Sequence, residues 1–169
     1  DPSTGLSEAY VICDNDKQIV FPENCLSMFS GLTSLKQIHF NNINTEHVTN
    51  MHGMFTNCTK LTSIDLSNFN TKNVTDMSYM FANCSNISSI DLSKLNTENA
   101  TDMNHMFSGC TNLISLDLSK ITTHKVTNMS YMFTNCSNLP SIELSNFNTE
   151  NVTDMSRMFW GCKSLTSLD

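Results

Sequence analysis

The sequence contains few positive charges. Nine Lys and Arg residues stand against 16 Asp and Glu, and the formal net charge is −7. Binding to nucleic-acid phosphates requires clustered cations, and the nine here are scattered along the chain. This argues against a nucleic-acid partner and favours one that is cationic or is bound without charge.

Long apolar runs are also missing, since none approaches the roughly 20 residues that a membrane helix needs. Only five Gly occur, and no glycine-rich phosphate loop is among them. The five His fall at unrelated positions, so no Ser-His-Asp or Cys-His set can be assigned. We therefore expect a water-soluble chain with no catalytic activity, no cofactor and no metal site.

The sequence does contain a repeat. A Met-Phe pair recurs every 26 residues, from Met28-Phe29 and Met54-Phe55 through to Met158-Phe159. A fixed period of this length is typical of a solenoid. Five full units follow one another, with a partial sixth, at 35–60, 61–86, 87–112, 113–138, 139–164 and 165–169. Because residues 165–169 copy only the start of a unit, we expect the chain to be part of a longer protein.

The spacing of the apolar residues changes part-way through each unit. Ile64 and Leu66 alternate with polar residues, which predicts a one-sided strand. Met77, Met80, Phe81 and Cys84 follow the spacing i, i+3, i+4, i+7, which predicts a short helix packed by its Met-Phe face. The methionines are accordingly interpreted as core residues.

Residues 1–34 differ from the repeats. The runs 10–13 and 18–21 are rich in β-forming residues and flank Asp14-Asn15-Asp16, a turn sequence. This pattern predicts an N-terminal cap at 1–34, made of a β-hairpin and a degenerate first unit, before the repeats at 35–169.

The string LTSIDLSNFNTKNVTDMSYMFANC at 61–84 strongly resembles the repeats of BspA-like leucine-rich-repeat surface proteins of bacteria and some protists. The match covers roughly residues 26–169. It implies an α/β solenoid: a right-handed leucine-rich-repeat superhelix with a parallel β-sheet on one face and short helices on the other. It also implies a cell-surface or secreted location, adhesion in some relatives, and no catalytic residues.

One outward strand position is acidic in most units, and stacked strands would place its members about 4.8 Å apart. The column runs His39, Asp65, Asp91, Asp117, Glu143, Asp169. One interpretation is a binding groove for a basic partner or for Ca²⁺, although a straight row does not converge on one ion. The other is that solvent screening and the neighbouring serines make the repulsion tolerable, so that the column has no ligand.

The position before each Met-Phe pair varies instead of repeating. It holds Tyr79, His105, Tyr131 and Arg157 in successive units, and Trp160 follows the last pair. Exposed Tyr, Trp and Arg are common anchors of protein interfaces, so Tyr79, Tyr131, Arg157 and Trp160 are candidate partner-binding residues. Alternatively, the tyrosines shield methionines and Trp160 packs against a further unit.

Five of the seven cysteines form a column at Cys58, Cys84, Cys110, Cys136 and Cys162. An interval of 26 residues does not suit zinc, and five in a row cannot all pair, so buried free thiols are expected. Cys13 and Cys25 lie outside the column and could form a disulfide in an oxidising compartment. Eight N-x-[ST] sequons recur at repeat positions, where local capping by Asn and Thr explains them; glycosylation remains open if the source is a secreted eukaryotic protein.

These observations favour a non-catalytic adhesion or binding module of a cell-surface or secreted protein. Its acidic strand face and its varying positions would bind a host or matrix protein or a glycan. The alternative is a structural stalk without a ligand of its own. An ice- or mineral-binding array, suggested by the Thr and Ser columns, is a weaker third hypothesis because acidic residues interrupt those columns.

Overall fold

The computed structural model describes residues 7–12 and 17–168, and the chain winds into a stack of coils. Parallel β-bridges join the same position of successive coils: Asn24 to Asn50, Asn50 to Asp76, and onward to Asp154. Each step is 26 residues, so the period in the sequence is the length of one coil. The parallel pairing expected of a solenoid is present, while the predicted unit bounds and the right-handedness stay predictions.

The strands are short and all pair in parallel. They are β1 (Glu8–Val11), β2 (Ile19–Val20), β3 (Gln37–Phe40), β4 (Ile43–Asn44), β5 (Ser63–Ile64), β6 (Ser141–Ile142) and β7 (Ser167–Leu168). They form one sheet of order β1-β3-β5 and two strand pairs, β2-β4 and β6-β7. The predicted parallel strands are therefore present, although regular pairing is interrupted in the central coils.

The predicted N-terminal hairpin is wrong. β1 pairs with β3 and β2 pairs with β4, so the two strands lie in different sheets and do not pair with each other. Both described strands of this segment instead pair in parallel with strands of the coil at 35–60, as the strands of successive coils do in a stack. The turn predicted at Asp14-Asn15-Asp16 lies outside the described residues.

The predicted helices are also wrong, since the described residues contain none. The segment from Met77 to Cys84 is a run of β-turns. The N–H of Met80 donates to the carbonyl of Met77 at 3.3 Å, and the N–H of Cys84 donates to that of Phe81 at 3.1 Å. Tyr79 and Asn83 have φ of 58° and 60°, left-handed values that end a right-handed helix.

Hydrogen bonds between coils explain why turns replace the helix. The N–H groups of Met77, Tyr79 and Phe81 donate to carbonyls of the next coil at 2.9 to 3.0 Å. A helix would direct those same N–H groups along its own axis, where they could not join two coils. The turn run therefore satisfies the backbone and connects neighbouring coils at once.

The core is built from the repeated apolar columns. Six phenylalanine rings, Phe29 to Phe159 at 26-residue steps, stack with centroids 5.5 to 5.8 Å apart. The methionines lie beside them, and nine of the eleven are buried, as expected for core residues. Met28 and Met155 are the two exceptions, at 40% and 45% exposure. No helix in the described part of the chain is long and apolar enough to span a membrane.

Four of the five cysteines of the column are buried in this core, as predicted, and Cys162 is half-buried. Each thiol donates to the carbonyl of a phenylalanine 29 residues earlier, for example Cys110 to Phe81 at 3.2 Å. Cys58, Cys84, Cys110, Cys136 and Cys162 are free thiols. Burial raises the pKa of Cys136 to about 12 and raises that of Cys110 still more clearly. Cys13 lies outside the described residues, so the Cys13–Cys25 disulfide stays a prediction.

Candidate recognition surfaces

The four predicted carboxylates of the strand column are exposed, and each one caps the bend that follows its strand. A carboxylate oxygen accepts the backbone N–H of the serine two residues later in every case. The pairs are Asp65 with Ser67 and Asp91 with Ser93 at 2.9 Å, and Asp117 with Ser119 and Glu143 with Ser145 at 2.8 Å. This local hydrogen bond explains why each position holds an acidic residue, without any ligand being required.

These bonds also keep the carboxylates ionised. Hydrogen bonds from the backbone and side chain of the following serine lower the pKa of Asp65, Asp117 and Glu143. The Ser93 side chain and then its backbone do the same for Asp91. Repulsion from Asp91 opposes the shift of Asp65 but is the smaller effect. The column is therefore negatively charged at neutral pH.

Two further columns use the same cap, which the sequence-based interpretation anticipated only at the sequon Asn128. In one, Asn50, Asp76, Asp102 and Asn128 each accept the N–H two residues later at 2.8 to 3.0 Å. In the other, Asn44, Asn70, Asn96 and Asn148 do so at 2.9 to 3.2 Å. The sequence carried a signal for this cap, because Asn and Asp replace each other in the first column and both have a side-chain oxygen that can accept the bond.

The varying column forms a stack of side chains on the surface. The rings of Tyr79 and His105 lie 4.2 Å apart and those of His105 and Tyr131 lie 4.5 Å apart, both nearly parallel. The guanidinium of Arg157 lies 5.6 Å from the centre of the Tyr131 ring. We call these four residues the surface ladder. Tyr79, His105 and Tyr131 are half-buried and Arg157 is exposed.

The backbone of the surface ladder is the kind that favours glycine. All four residues have φ between 54° and 58°, and Gly53 takes this position in the coil at 35–60. A left-handed backbone costs a residue with a side chain about 1–2 kcal/mol. Offset stacking of aromatic rings returns about 0.5–1.5 kcal/mol for each pair. Large side chains therefore persist where glycine would fit more easily.

The repeat pattern also matches a family model. The family is described as "Mycoplasma protein of unknown function, DUF285", and its model matches residues 23–140 and 85–168. The chain belongs to this family.

Two solved structures resemble this DUF285 chain. A leucine-rich repeat protein from Bacteroides ovatus ATCC 8483 is 17% identical, with a TM-score of 0.48 over 94% of this chain and 46% of that one. A leucine-rich repeat protein from Eubacterium ventriosum ATCC 27560 is 18% identical, with a TM-score of 0.46 over 95% and 44%. The DUF285 chain thus spans less than half the length of either. No curated protein matches it.

His105 lies between the two tyrosines of the surface ladder in this DUF285 chain, and its imidazole can change protonation state. Its Nδ1 lies 2.9 Å from Oδ1 of Asn104, which fixes the ring between the two tyrosines. Burial lowers the pKa of His105, and the nearby carboxylate of Asp102 partly offsets that effect. The ring is therefore mostly neutral at pH 7.

Trp160 does not join the stack. It closes the β-turn that begins at Arg157, with its N–H donating to the Arg157 carbonyl at 3.0 Å, and its side chain is 61% exposed. The structure thus brings Tyr79, Tyr131 and Arg157 together and places Trp160 one turn along the chain.

Several sequon asparagines of the DUF285 repeats hold coils together. The side-chain N–H groups of Asn73, Asn99 and Asn151 donate to carbonyls of the preceding coil at 2.6 to 2.8 Å. Asn128 accepts the N–H of Ser130 at 3.0 Å. These bonds support the interpretation of these sequons as local caps and coil connections.

Proposed function

We propose that this chain is a non-catalytic recognition module of a cell-surface or secreted protein of the BspA-like leucine-rich-repeat type. It binds a protein or glycan partner through the surface ladder and the acidic strand column. The observation that carries the proposal is the surface ladder itself. Its side chains differ from coil to coil on a scaffold whose core columns are nearly constant, and variation of this kind suits recognition more than packing.

The acidic strand column is the second part of the proposed surface. Asp65, Asp91, Asp117 and Glu143 are exposed and ionised, and one oxygen of each remains free of the capping bond described above. A row of carboxylates attracts a basic partner and raises its association rate at low salt. A single Ca²⁺ is a poor occupant, since its ligands must converge on one point.

A structural stalk is the second candidate, and specific observations favour it too. The same carboxylates cap bends, and the surface ladder joins three coils by ring stacking and a fourth through the contact of Arg157 with Tyr131. Both features would stabilise a spacer that binds nothing.

Two sets of substitutions separate these functions while preserving the bend caps and the left-handed turns. Asn can accept the capping bond, so Asp65→Asn, Asp91→Asn and Asp117→Asn together remove charge and keep the caps. Glycine suits a left-handed backbone, so Tyr79→Gly and Tyr131→Gly remove the rings and keep the turns.

The chain and both variants are tested for binding to a panel of matrix proteins and glycans, at low and at high salt. A recognition module loses binding in one variant or both, with the charge variant affecting mainly the low-salt signal. If the unmodified chain binds nothing on the panel while an attached domain does, the stalk is the correct function.

A further inference from the structure

A cavity opens between the bends of two central coils, and two lysines and a histidine meet there. It has a volume of about 460 Å³ and lies between the segments 93–98 and 120–124. Lys94, Lys120 and His124 are part of its lining. Further coils lie on both sides of this pair, at 61–86 and 139–164, so the cavity belongs to the interior of the stack. Two of the nine Lys and Arg residues of an acidic chain therefore line one space.

The two lysines replace residues that connect coils. In the same column, the side-chain N–H groups of Asn68 and Asn146 donate to carbonyls of the preceding coil at 3.1 and 3.0 Å. Within residues 7–12 and 17–168, neither lysine forms a bond of this kind. Lys94 and Lys120 thus give up a stabilising contact of the scaffold, and packing does not explain them.

The two ammonium groups keep their hydrogen-bond donors for a ligand. In the part of the chain that the structure describes, no carboxylate oxygen lies within 4.0 Å of either Nζ, and neither Nζ forms a hydrogen bond. Bonds from Ser93 lower the pKa of Asp91 most and Lys94 adds a smaller effect, so this ammonium lies near a carboxylate that already caps a bend. Lys120 stands in the same relation to Asp117. Each ammonium has three N–H donors to offer.

The rest of the lining is polar and mostly uncharged. Thr122 stands where four other coils have a capping asparagine, and its hydroxyl lies 3.3 Å from that of Thr97. Asn96 uses Oδ1 for its own cap at 2.9 Å, which leaves its Nδ2 as a donor. The carboxylate of Glu98 adds acceptors. The cavity therefore combines cations for one charged group with hydroxyl, amide and carboxylate groups that suit a row of sugar hydroxyls.

We propose that the cavity between 93–98 and 120–124 binds an acidic sugar residue of a glycan, with Lys94 and Lys120 at the sugar carboxylate. Charge-assisted hydrogen bonds of this kind are the stronger ones. The volume lies within the range of about 300–1,000 Å³ that is usual for sites of small ligands. This inference rests on the proposed recognition function and names the partner chemistry at a further site, outside the surface ladder and the acidic strand column.

The test is a titration of the ¹⁵N-labelled full chain with methyl glucuronide and with methyl glucoside, which differ only in a carboxylate against a hydroxymethyl group. The signals observed are the backbone N–H groups of Glu98 and His124. Methyl glucuronide is expected to shift both signals, with an affinity at least about tenfold higher than that of methyl glucoside. Raising the salt to about 1 M should reduce this difference, because salt screens exposed charges.

Three variants locate the effect, and each introduces the residue that other coils have in the same column. Lys94→Asn and Lys120→Asn should each weaken the binding of methyl glucuronide about three- to fivefold and leave that of methyl glucoside unchanged. Lys125→Asn removes one positive charge from the coil of Lys120, but the Lys125 Nζ donates to Oδ1 of Asn99 at 2.7 Å and is not part of the cavity lining. It should change the affinity by less than about twofold. Equal losses in all three variants, or equal affinities for the two sugars, would overturn the proposal.

A glutamate blocked at both ends is the third ligand. If it shifts the two signals as strongly as methyl glucuronide at equal concentration, the sugar ring contributes nothing and the glycan assignment is wrong. A weaker response to glutamate supports the assignment. The lysine variants leave the surface ladder and the acidic strand column unchanged, so failure of this titration does not affect the panel experiment, and a negative panel leaves the titration readable.

Discussion

Asp76 shows how one side chain shapes each bend of the coil. Its Oδ1 accepts the N–H of Ser78 at 2.9 Å, and Asn50 and Asn128 do the same in other coils. An amide oxygen can therefore replace the carboxylate. We expect Asp76→Ala to lower the free energy of unfolding by about 1 kcal/mol, and Asp76→Asn to lower it by less than half as much. Urea unfolding measures both, and equal losses would show that charge matters more than the bond.

The buried thiols predict a loss of stability at alkaline pH. Burial raises the pKa of Cys84, Cys110 and Cys136 in the folded chain above that of an unfolded thiol, near 8.5. A group whose pKa is raised in the folded state makes its full contribution to the free energy of unfolding at pH values below the unfolded-state pKa. That contribution falls as the pH rises beyond the unfolded-state pKa. Each thiol should therefore reduce the free energy of unfolding by about 1.4 kcal/mol per pH unit above pH 9.

The measurement is urea unfolding at pH 7, 9 and 10, with Cys110→Ala as the matched variant. Losing one titrating thiol should make the alkaline slope shallower in this variant, even though the cavity lowers its stability at pH 7. An unchanged slope would indicate that the thiols ionise within the folded state.

At the scale of one element, the surface ladder is expected to act as a unit. His105→Ala removes two stacked contacts, Tyr79 with His105 and His105 with Tyr131, and leaves the tyrosines separated. We expect a loss of about 1–2 kcal/mol in the free energy of unfolding. His105→Phe keeps a ring at the same left-handed position and should lose less than half of that amount. Thermal unfolding compares the two, and equal losses would mean that stacking contributes little.

The turn segment also shows where prediction from sequence reached its limit. The spacing of Met77, Met80, Phe81 and Cys84 identified the core face correctly, because a run of β-turns can place residues three and four apart on one side as a helix does. The spacing could not distinguish the two. Gly53 shares a column with Tyr79, and Gly109 with Asn83, and this recurrence of glycine indicated a left-handed backbone that excludes helix.

The surface ladder was predictable only as a set of varying residues. That Tyr79, His105 and Tyr131 stack depends on side-chain directions set by the left-handed backbone, which the sequence pattern did not reveal. The caps by Asp65 and its counterparts were missed for a related reason: the bond is local to each bend, whereas the column was considered as a property of the sheet. Stacking of the coils could be predicted from the 26-residue period without either detail, because a repeated core column indicates stacking by itself.

For the whole molecule, the stack of coils makes stability a sum over neighbours. Deleting residues 87–112 removes one coil and brings 61–86 against 113–138, so that Phe81 can stack on Phe133 and Tyr79 on Tyr131. The shortened chain should fold with a lower free energy of unfolding. Its urea m-value should fall by about 15%, since 26 of 169 residues are lost and the m-value follows the surface exposed. Deleting 87–99, half a coil, should instead prevent folding, because every later column would face the wrong partner. An unchanged m-value after the full deletion, or a folded half-coil variant, would show that neighbouring coils are not the units of stability.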